Sequence, residues 1–292
     1  MSAVAQIDWA GRPVRLEYAW VGPDSAEPGD GSPTMLGAPT TGDAPTTGGA
    51  LTAASGSPTL VFLHEGLGSV SAWRDFPARL CAATGCRGLV YSRPGYGGST
   101  PREPGERWES DYLHRQAREV LPPLLDAVGL AAAPIVLFGH SDGATIALLF
   151  AATFPGRAAG VVVMAPHIRV EDVTLRGIER ARGTYLTGTL REGLGVHHDD
   201  PDSAFWGWAQ AWLDPGFSSW SIEDELPAIR CPVLAIQGVD DEYGTLEQIR
   251  GIARRVEGTT LLEIPGCGHS PHRDAPDEVL ASVGEFLDRL RA

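Results

Sequence analysis

The sequence predicts an α/β protein in which a mostly parallel, twisted sheet carries helices on both faces. From residue 59 onward, short apolar runs alternate with longer segments of helical periodicity. One apolar run, at residues 134–138, stops at a glycine-flanked turn that leads at once into an Ala- and Leu-rich helical pattern. Strand, turn and helix in this order are typical of a parallel sheet.

The predicted elements follow one another in a regular order. Residues 4–20 are expected to form two short strands that turn at residues 11–13, an antiparallel start to the sheet. Further strands are expected at 59–63, 88–91, 135–138, 160–164, 232–237 and 259–264. Helices are expected near 71–84, 108–128 and 143–154, with a closing amphipathic helix from about 276 to 290.

Two segments interrupt this alternation. Residues 22–57 are nearly all Gly, Pro, Thr, Ser and Ala, so they are predicted to be a low-complexity, disordered insertion. Residues 166–226 lie between two core strands and show several helical patterns, which predicts a helical lid over the site. The core is then expected to comprise residues 1–165 and 227–292.

Residues 139–143, Gly-His-Ser-Asp-Gly, carry the strongest chemical signal in the chain. A Gly-x-Ser-x-Gly turn between a strand and a helix holds its serine hydroxyl in an exposed position. The glycines leave room for the sharp turn, and the helix N-terminus supplies an oriented N–H group and a positive dipole end. Ser141 is therefore the predicted nucleophile.

A carboxylate that orients a histidine is expected after the next core strand. Residues 231–238 read as a buried strand that ends in Val239, Asp240, Asp241 and Glu242. Asp241, three residues after Gly238, is the predicted partner of the histidine, with Asp240 as the alternative.

The predicted base is His269, which follows the strand at 259–264 and a glycine-rich turn. Histidine takes and returns a proton near neutral pH, as acyl transfer requires. Neighbouring His272 is a rival, but it lies next to the start of the closing helix. Ser141, Asp241 and His269 then follow the chain order Ser, Asp, His.

The segment HEGLGS (64–69), here called the oxyanion loop, follows the strand at 59–63. A glycine-rich loop in this place can offer a backbone N–H group to an acyl oxyanion. Gly66 and Leu67 are the candidate donors, and the sequence does not separate them. Asp142, the residue after the nucleophile, is expected to supply the second N–H group.

Together these motifs resemble the α/β-hydrolase-fold family over residues from about 60 to the C-terminus. The resemblance rests on HEGLGS (64–69), SRPGYGGS (92–99), GHSDG (139–143), GVDD (238–241) and GCGHSPH (266–272), all in family order. It implies the α/β-hydrolase fold and a serine hydrolase with a catalytic triad. Haloalkane dehalogenation and epoxide hydrolysis are not expected, because the resemblance would then require aspartate at position 141.

The chain departs from the family pattern at two positions. Glu65 stands where the family commonly has the glycine of an H-G pair, and Ser92 stands where it commonly has aspartate. If Glu65 or Asp142 points into the pocket, it would repel an anionic substrate and attract a cationic one. For Asp142, the alternative is that it caps the helix after the turn.

Aromatic residues of the predicted lid are further pocket candidates. Phe205, Trp208 and Trp212 fall on one helical face, so they either pack into the core or line an apolar pocket. Trp208 and Trp212 are the predicted pocket residues from this helix. Glu65 and His140, on either side of the expected site, complete the predicted substrate pocket.

Composition excludes several other classes of function. The 23 basic residues against 37 acidic ones give a net charge of −14, which argues against nucleic acid and anionic membrane surfaces as partners. All 23 are arginines, so a Schiff-base lysine and a Walker-A phosphate loop are absent. The four cysteines lack zinc-type spacing, and residues 197–200 (His-His-Asp-Asp) read as a solvated loop rather than a metal site. We expect neither a cofactor nor a metal.

The expected location and partners follow from the same features. The N-terminal segment lacks a signal-peptide pattern and no apolar run is long enough to span a membrane, so a cytoplasmic protein is expected. The expected partner is a small-molecule substrate, and the sequence does not choose between a monomer and a homodimer.

The prediction is a serine hydrolase that cleaves a carboxylic ester, thioester or lactone through an acyl-enzyme on Ser141. A carbon–carbon bond hydrolase of a dienoate or β-diketone is the first alternative, because it uses the same triad. Arg176, Arg180 and Arg182 could then face a substrate carboxylate. A catalytically silent binding protein with the same fold is the alternative from another class.

Overall fold

A computed structural model describes residues 2–23 and 57–292, which form one eight-stranded sheet in the order β1-β2-β4-β3-β5-β6-β7-β8. The strands are β1 (Ala3–Trp9), β2 (Arg12–Val21), β3 (Thr59–Leu63), β4 (Gly88–Tyr91), β5 (Ile135–His140), β6 (Ala158–Met164), β7 (Val233–Gly238) and β8 (Thr259–Ile264). The β1–β2 and β2–β4 pairs are antiparallel, and all other pairs are parallel. The predicted sheet, with its antiparallel start, is confirmed.

Helices lie between the parallel strands, as the alternation predicts. They are α1 (Phe76–Thr84), α2 (Tyr112–Arg115), α3 (Leu121–Ala127), α4 (Asp142–Thr153), α5 (Asp172–Leu186), α6 (Thr189–Leu194), α7 (Pro201–Trp212), α8 (Glu247–Ala253), α9 (Pro271–Asp274) and α10 (Pro276–Arg291). A π-helical turn, Gln116–Val120, joins α2 to α3, so the helix expected near 108–128 begins later and is irregular in its middle. The insertion predicted at 22–57 lies outside the described residues except at its ends.

The sheet separates two apolar layers. Side chains of successive strand residues point to opposite faces, so Ile135 and Leu137 of β5 pack on one side, and Val136 and Phe138 on the other. The first layer includes the apolar side chains of α4, and the second includes those of α1 and α10. Helices therefore cover both faces of the sheet, which explains why β5 is buried along its whole length.

The parallel strands bring their carboxyl ends to one edge of the sheet. In a sheet of this kind, a ligand site forms in the crevice outside those ends. The oxyanion loop follows β3, the nucleophile turn follows β5, and the segments that carry Asp241 and His269 follow β7 and β8. Helices α5, α6 and α7 all belong to the long connection between β6 and β7.

Candidate active site

Ser141 occupies a strained backbone conformation between β5 and α4, with φ 51° and ψ −117°. Two flanking glycines allow this turn. A Cβ at Gly143 would lie 2.0 Å from the Leu63 carbonyl oxygen, and a Cβ at Gly139 would lie 2.4 Å from the Gly143 carbonyl oxygen. Strain of this kind at a non-glycine residue persists only where its surroundings enforce it, and it is typical of functional sites.

Ser141, His269 and Asp241 form one hydrogen-bonded chain. The Nε2 atom of His269 lies 2.9 Å from Ser141 Oγ, and its Nδ1 atom lies 2.8 Å and 3.0 Å from the two carboxylate oxygens of Asp241. Because a carboxylate only accepts, Nδ1–H donates to Asp241 and Nε2 is free to accept the serine proton. The structure thus brings together the three residues predicted as nucleophile, base and acid.

The surroundings of Asp241 distinguish it from Asp240. The Asp241 carboxylate is 1% exposed and accepts further hydrogen bonds from the backbone N–H groups of Tyr243 and Gly244 and from Gln237 Nε2. Asp240 is exposed, and no hydrogen bond to its carboxylate is found in the described part of the chain. Four donors, His269 included, therefore fix the orientation of Asp241.

The same contacts shift the pKa values of both partners. Burial opposes ionisation of Asp241, but the hydrogen bond and charge of His269 outweigh it and lower the pKa of the carboxyl below its usual value. Burial also disfavours the imidazolium form of His269, yet Asp241 overcomes this and raises the pKa of the imidazole above 6.5. Each partner thus stabilises the charged form of the other.

The oxyanion loop lies beside the nucleophile turn. Its backbone turns through a hydrogen bond from Gly68 N–H to the Glu65 carbonyl oxygen (3.1 Å), and a Cβ at Gly66 would lie 2.3 Å from Trp208 Nε1. Trp208 therefore packs directly against the loop. The N–H groups of Asp142 and of Gly66 or Leu67 stay the predicted oxyanion donors.

Asp142 is held in a buried ion pair that the sequence analysis missed. Arg93 is fully buried, and its Nη1 atom lies 3.5 Å from Asp142 Oδ2. The Tyr112 hydroxyl donates to the same oxygen at 2.7 Å, and Trp212 Nε1 donates to that hydroxyl at 2.7 Å. Asp142 makes no capping hydrogen bond within α4, and Arg93 balances its charge. It therefore presents no free charge to a substrate.

His140 is buried beside His269. Its side chain is 1% exposed, and its Nε2–H donates to the backbone carbonyl of His269 at 2.7 Å. Its Nδ1 atom faces Glu65 Oε2 at 3.5 Å. Glu65 Oε1 also lies 3.7 Å from Arg273 Nη2, so its carboxylate faces both His140 and Arg273. Both side chains thus make contacts behind His269, and their predicted pocket role stays a prediction.

Trp212 is buried and packs against Phe217 and Trp220, so it belongs to the core as well as to the neighbourhood of the site. Its ring lies 5.1 Å from that of His167, which in turn lies 5.8 Å from the ring of His269. Burial lowers the pKa of His167 to about 3, so this imidazole is neutral near the site. Sequence analysis missed His167, although it follows the carboxyl end of a core strand.

The prediction of a solvated loop at residues 197–200 is wrong for His198. This side chain is 5% exposed, its Nδ1 accepts from Gly97 N–H at 2.9 Å, and its Nε2–H donates to the Leu67 carbonyl at 3.0 Å. His198 thus connects the segment before α7 to the oxyanion loop.

In the described ranges, no cluster of His, Cys, Asp or Glu could hold a metal ion, and no helix is long and apolar enough to cross a bilayer.

Comparisons with known proteins identify the family and the fold. The family model described as the alpha/beta hydrolase family matches residues 60–282. The chain is 25% identical over 249 residues to a monoglyceride lipase homolog of monkeypox virus, a match that covers 78% of this chain and 87% of that protein. It is 24% identical over 264 residues to a 2-hydroxy-6-oxo-6-phenylhexa-2,4-dienoate hydrolase of Burkholderia cepacia, covering 81% and 90%. A thermophilic esterase from Thermogutta terrifontis has the same fold, with a TM-score of 0.68 at 19% identity over 100% of both chains.

Proposed function

Because the chain belongs to the alpha/beta hydrolase family, we propose that this hydrolytic enzyme cleaves a small-molecule carboxylic ester, thioester or lactone with a serine nucleophile. The observation that carries the proposal is the 2.9 Å contact between Ser141 Oγ and His269 Nε2, with Asp241 on the opposite nitrogen. A serine hydroxyl becomes a nucleophile when a base within hydrogen-bond reach can take its proton.

In the first half-reaction, Ser141 Oγ attacks the acyl carbonyl carbon while His269 Nε2 takes the hydroxyl proton. Asp241 stabilises the resulting imidazolium. The carbonyl π electrons move to the oxygen, and the N–H groups of Asp142 and of Gly66 or Leu67 hold that oxyanion. The intermediate collapses, the bond to the leaving group breaks, and His269 protonates the departing oxygen or sulfur. The acyl group is then an ester on Ser141.

In the second half-reaction, His269 takes a proton from water, and the hydroxide formed attacks the acyl-enzyme carbonyl. The new tetrahedral intermediate uses the same N–H donors. When it collapses, Ser141 Oγ leaves and regains its proton from His269, which releases a carboxylic acid. A lactone follows the same steps, but its alcohol and acid groups leave on one molecule.

The helices between β6 and β7 are proposed to form a lid over this site. Trp208 of α7 packs against Gly66, and His198, just before α7, is bonded to Leu67. The lid thus contacts the oxyanion loop at two points. Such contacts exclude water from the acyl pocket, which strengthens the hydrogen bonds to a developing oxyanion.

A carbon–carbon bond hydrolase is the second candidate. Arg176 and Arg180 of α5 have no acidic partner among the described residues, and both line a groove of about 520 Å³ with Trp212. Arg182 is instead paired with Glu179 at 3.0 Å. Arg180 Nη2 donates to the Glu242 carbonyl oxygen at 3.4 Å, and guanidinium groups without an acidic partner suit a substrate carboxylate. A catalytically silent binding protein is disfavoured, because binding alone would not need the intact hydrogen bonds that join Ser141, His269 and Asp241.

The proposal is tested with a serine-directed fluorophosphonate, followed by peptide mapping of the adduct. A single adduct is expected on Ser141, absent in Ser141→Ala and much slower in His269→Ala. Folded protein that takes no label, or that is labelled elsewhere, would refute the serine mechanism. A panel of ester, thioester, lactone and dienoate substrates then separates the two candidate reactions. Arg176→Gln is expected to slow turnover of the dienoate only.

A further inference from the structure

Glu65 and His140 meet behind the catalytic histidine, at the junction of two functional loops. Glu65 belongs to the oxyanion loop, whereas the carbonyl that accepts from His140 belongs to His269 in the histidine loop (residues 265–270). His140 itself is the last residue of β5, immediately before the nucleophile. The distance between His140 Nδ1 and Glu65 Oε2 is 3.5 Å. The two side chains thus span the space between the loops.

The hydrogen bond to His269 determines where the protons of His140 lie. A backbone carbonyl only accepts, so His140 Nε2 must carry a hydrogen. In the neutral ring, Nδ1 would then present a lone pair to the Glu65 carboxylate, and two acceptors at this distance repel each other. A proton between Nδ1 and Oε2 removes the repulsion and turns the contact into a charge-assisted hydrogen bond.

The other groups around the pair supply no buried cation to Glu65. His272 packs against the His140 ring at 5.0 Å, but burial lowers its pKa to about 3, so it is neutral. His64 is also neutral, because burial lowers its pKa well below 6.5. Arg273 is 3.7 Å from Glu65, but its side chain is 44% exposed and screened by solvent.

The charge state of Glu65 agrees with this arrangement. Burial opposes its ionisation, yet its contact with His140 outweighs burial and holds the pKa of the Glu65 carboxyl well below its usual range. The Asp241 carboxylate is instead held by its contact with His269. His140 is therefore the group that can neutralise the Glu65 charge inside the protein.

The backbone of Glu65 is anchored independently of its side chain. Its carbonyl accepts from His64 Nδ1–H at 2.7 Å and from Arg93 Nη2 at 2.8 Å. With the side chain held by His140 as well, the peptide that leads into Gly66 is fixed from two sides. The orientation of the Gly66 N–H group then depends on the same contacts that hold the His269 backbone.

We propose that Glu65 and His140 share one proton as a carboxylate–imidazolium pair, which positions the oxyanion loop against the histidine loop. The catalytic part of this inference rests on the proposed serine hydrolase. Neither side chain touches the reacting atoms, so both are positioning residues. Their effect is on the alignment of the oxyanion donors and of His269 Nε2, and a misalignment of a fraction of an ångström slows acyl transfer.

The shared proton is tested by histidine ring NMR on 15N-labelled protein at pH 7, with the His140 signals assigned from His140→Gln. The wild type is expected to show His140 as an imidazolium, and Glu65→Gln is expected to show it as the neutral Nε2–H tautomer. A neutral His140 in the folded wild type would overturn the proposal. This readout needs no turnover, so it stands or falls separately from the fluorophosphonate result.

The positioning role is tested by kinetics on an activated ester. Glu65→Gln keeps the shape of the side chain and is expected to lower kcat on the order of 10- to 100-fold with little change in KM. Glu263→Gln, which removes an exposed carboxylate paired with Arg250, is the matched control and is expected to keep wild-type kcat. Arg273→Gln should keep wild-type kcat, and His140 should stay an imidazolium in this variant. Wild-type kcat in Glu65→Gln, or an equal loss in Arg273→Gln, would overturn the proposal.

Discussion

Arg93 and Asp142 form an ion pair in the interior of the protein, with Nη1 of the guanidinium 3.5 Å from Oδ2 of the carboxylate. Both side chains are buried, and Asp142 directly follows Ser141. Arg93 also donates to the Glu65 carbonyl, so one guanidinium contacts both sides of the predicted oxyanion site. A buried carboxylate at this position is tolerated because its charge is balanced there.

Removal of Arg93 is therefore expected to destabilise the protein strongly. Arg93→Met leaves Asp142 buried without its counter-ion and should cost about 3–5 kcal/mol in the free energy of unfolding. Urea denaturation measures this loss. The double variant Arg93→Met/Asp142→Asn should recover part of the stability, because it removes the unpaired charge. If the double variant recovers no stability, the loss in Arg93→Met does not come from the unpaired charge of Asp142.

Asp241 and Asp240 are expected to differ sharply in their effect on turnover. Asp241→Asn should lower kcat by about 10⁴-fold, because the amide no longer holds the His269 tautomer that accepts from serine. Asp240→Asn, one residue away and exposed, is the matched control and should stay close to wild type. Steady-state kinetics on an activated ester decides between the two carboxylates. An equal loss in Asp240→Asn would reverse their assignment.

The pH dependence of kcat/KM should report the ionisation of His269. The base acts only when neutral, so activity is low when the imidazole is protonated and rises with pH as it loses its proton. Asp241 raises the pKa of His269 above 6.5, so the midpoint of this rise should lie above 6.5. In Asp241→Asn, the midpoint of the residual activity should move to lower pH. A midpoint that does not move would show that Asp241 does not stabilise the imidazolium.

Two glycine-to-alanine substitutions should have opposite effects on stability. At Gly143, an added Cβ would lie 2.0 Å from the Leu63 carbonyl oxygen, so Gly143→Ala should destabilise the fold by about 1–3 kcal/mol and abolish turnover. At Gly284 of α10, an added Cβ meets no atom within 4 Å, so Gly284→Ala should stabilise by about 0.4–1 kcal/mol. Thermal unfolding with parallel activity assays measures both. Retained activity in Gly143→Ala would contradict the close approach at the nucleophile turn.

Several elements and site residues could be predicted because their signals are local. Strands β3, β4 and β8 begin and end where the apolar runs predict, and α4 begins at Asp142, one residue before the predicted start. A turn of this type places a serine at a strand–helix junction in any chain that folds this way. The geometry favours the predicted Asp241 over Asp240, since the Asp241 carboxylate contacts His269 Nδ1.

Other site features could not be predicted because they depend on partners far away in the sequence. Arg93 and Asp142 are 49 positions apart by their residue numbers, and His198 reaches Leu67 across 131 positions. The sequence marks each of these residues only as polar, and polarity on its own favours a solvated position. The prediction of a solvated loop at residues 197–200 is wrong for His198 for this reason.

The sequence by itself determined the strand–helix alternation, the nucleophile turn and the order of the three predicted triad residues, because periodicity and turn chemistry act over a few neighbouring residues. Only the tertiary structure decided which charges face each other: Asp142 with Arg93, and Glu65 with His140. The physical reason is that the free energy of a buried charge depends on the group within a few ångströms of it. That group is supplied by the packing of distant segments.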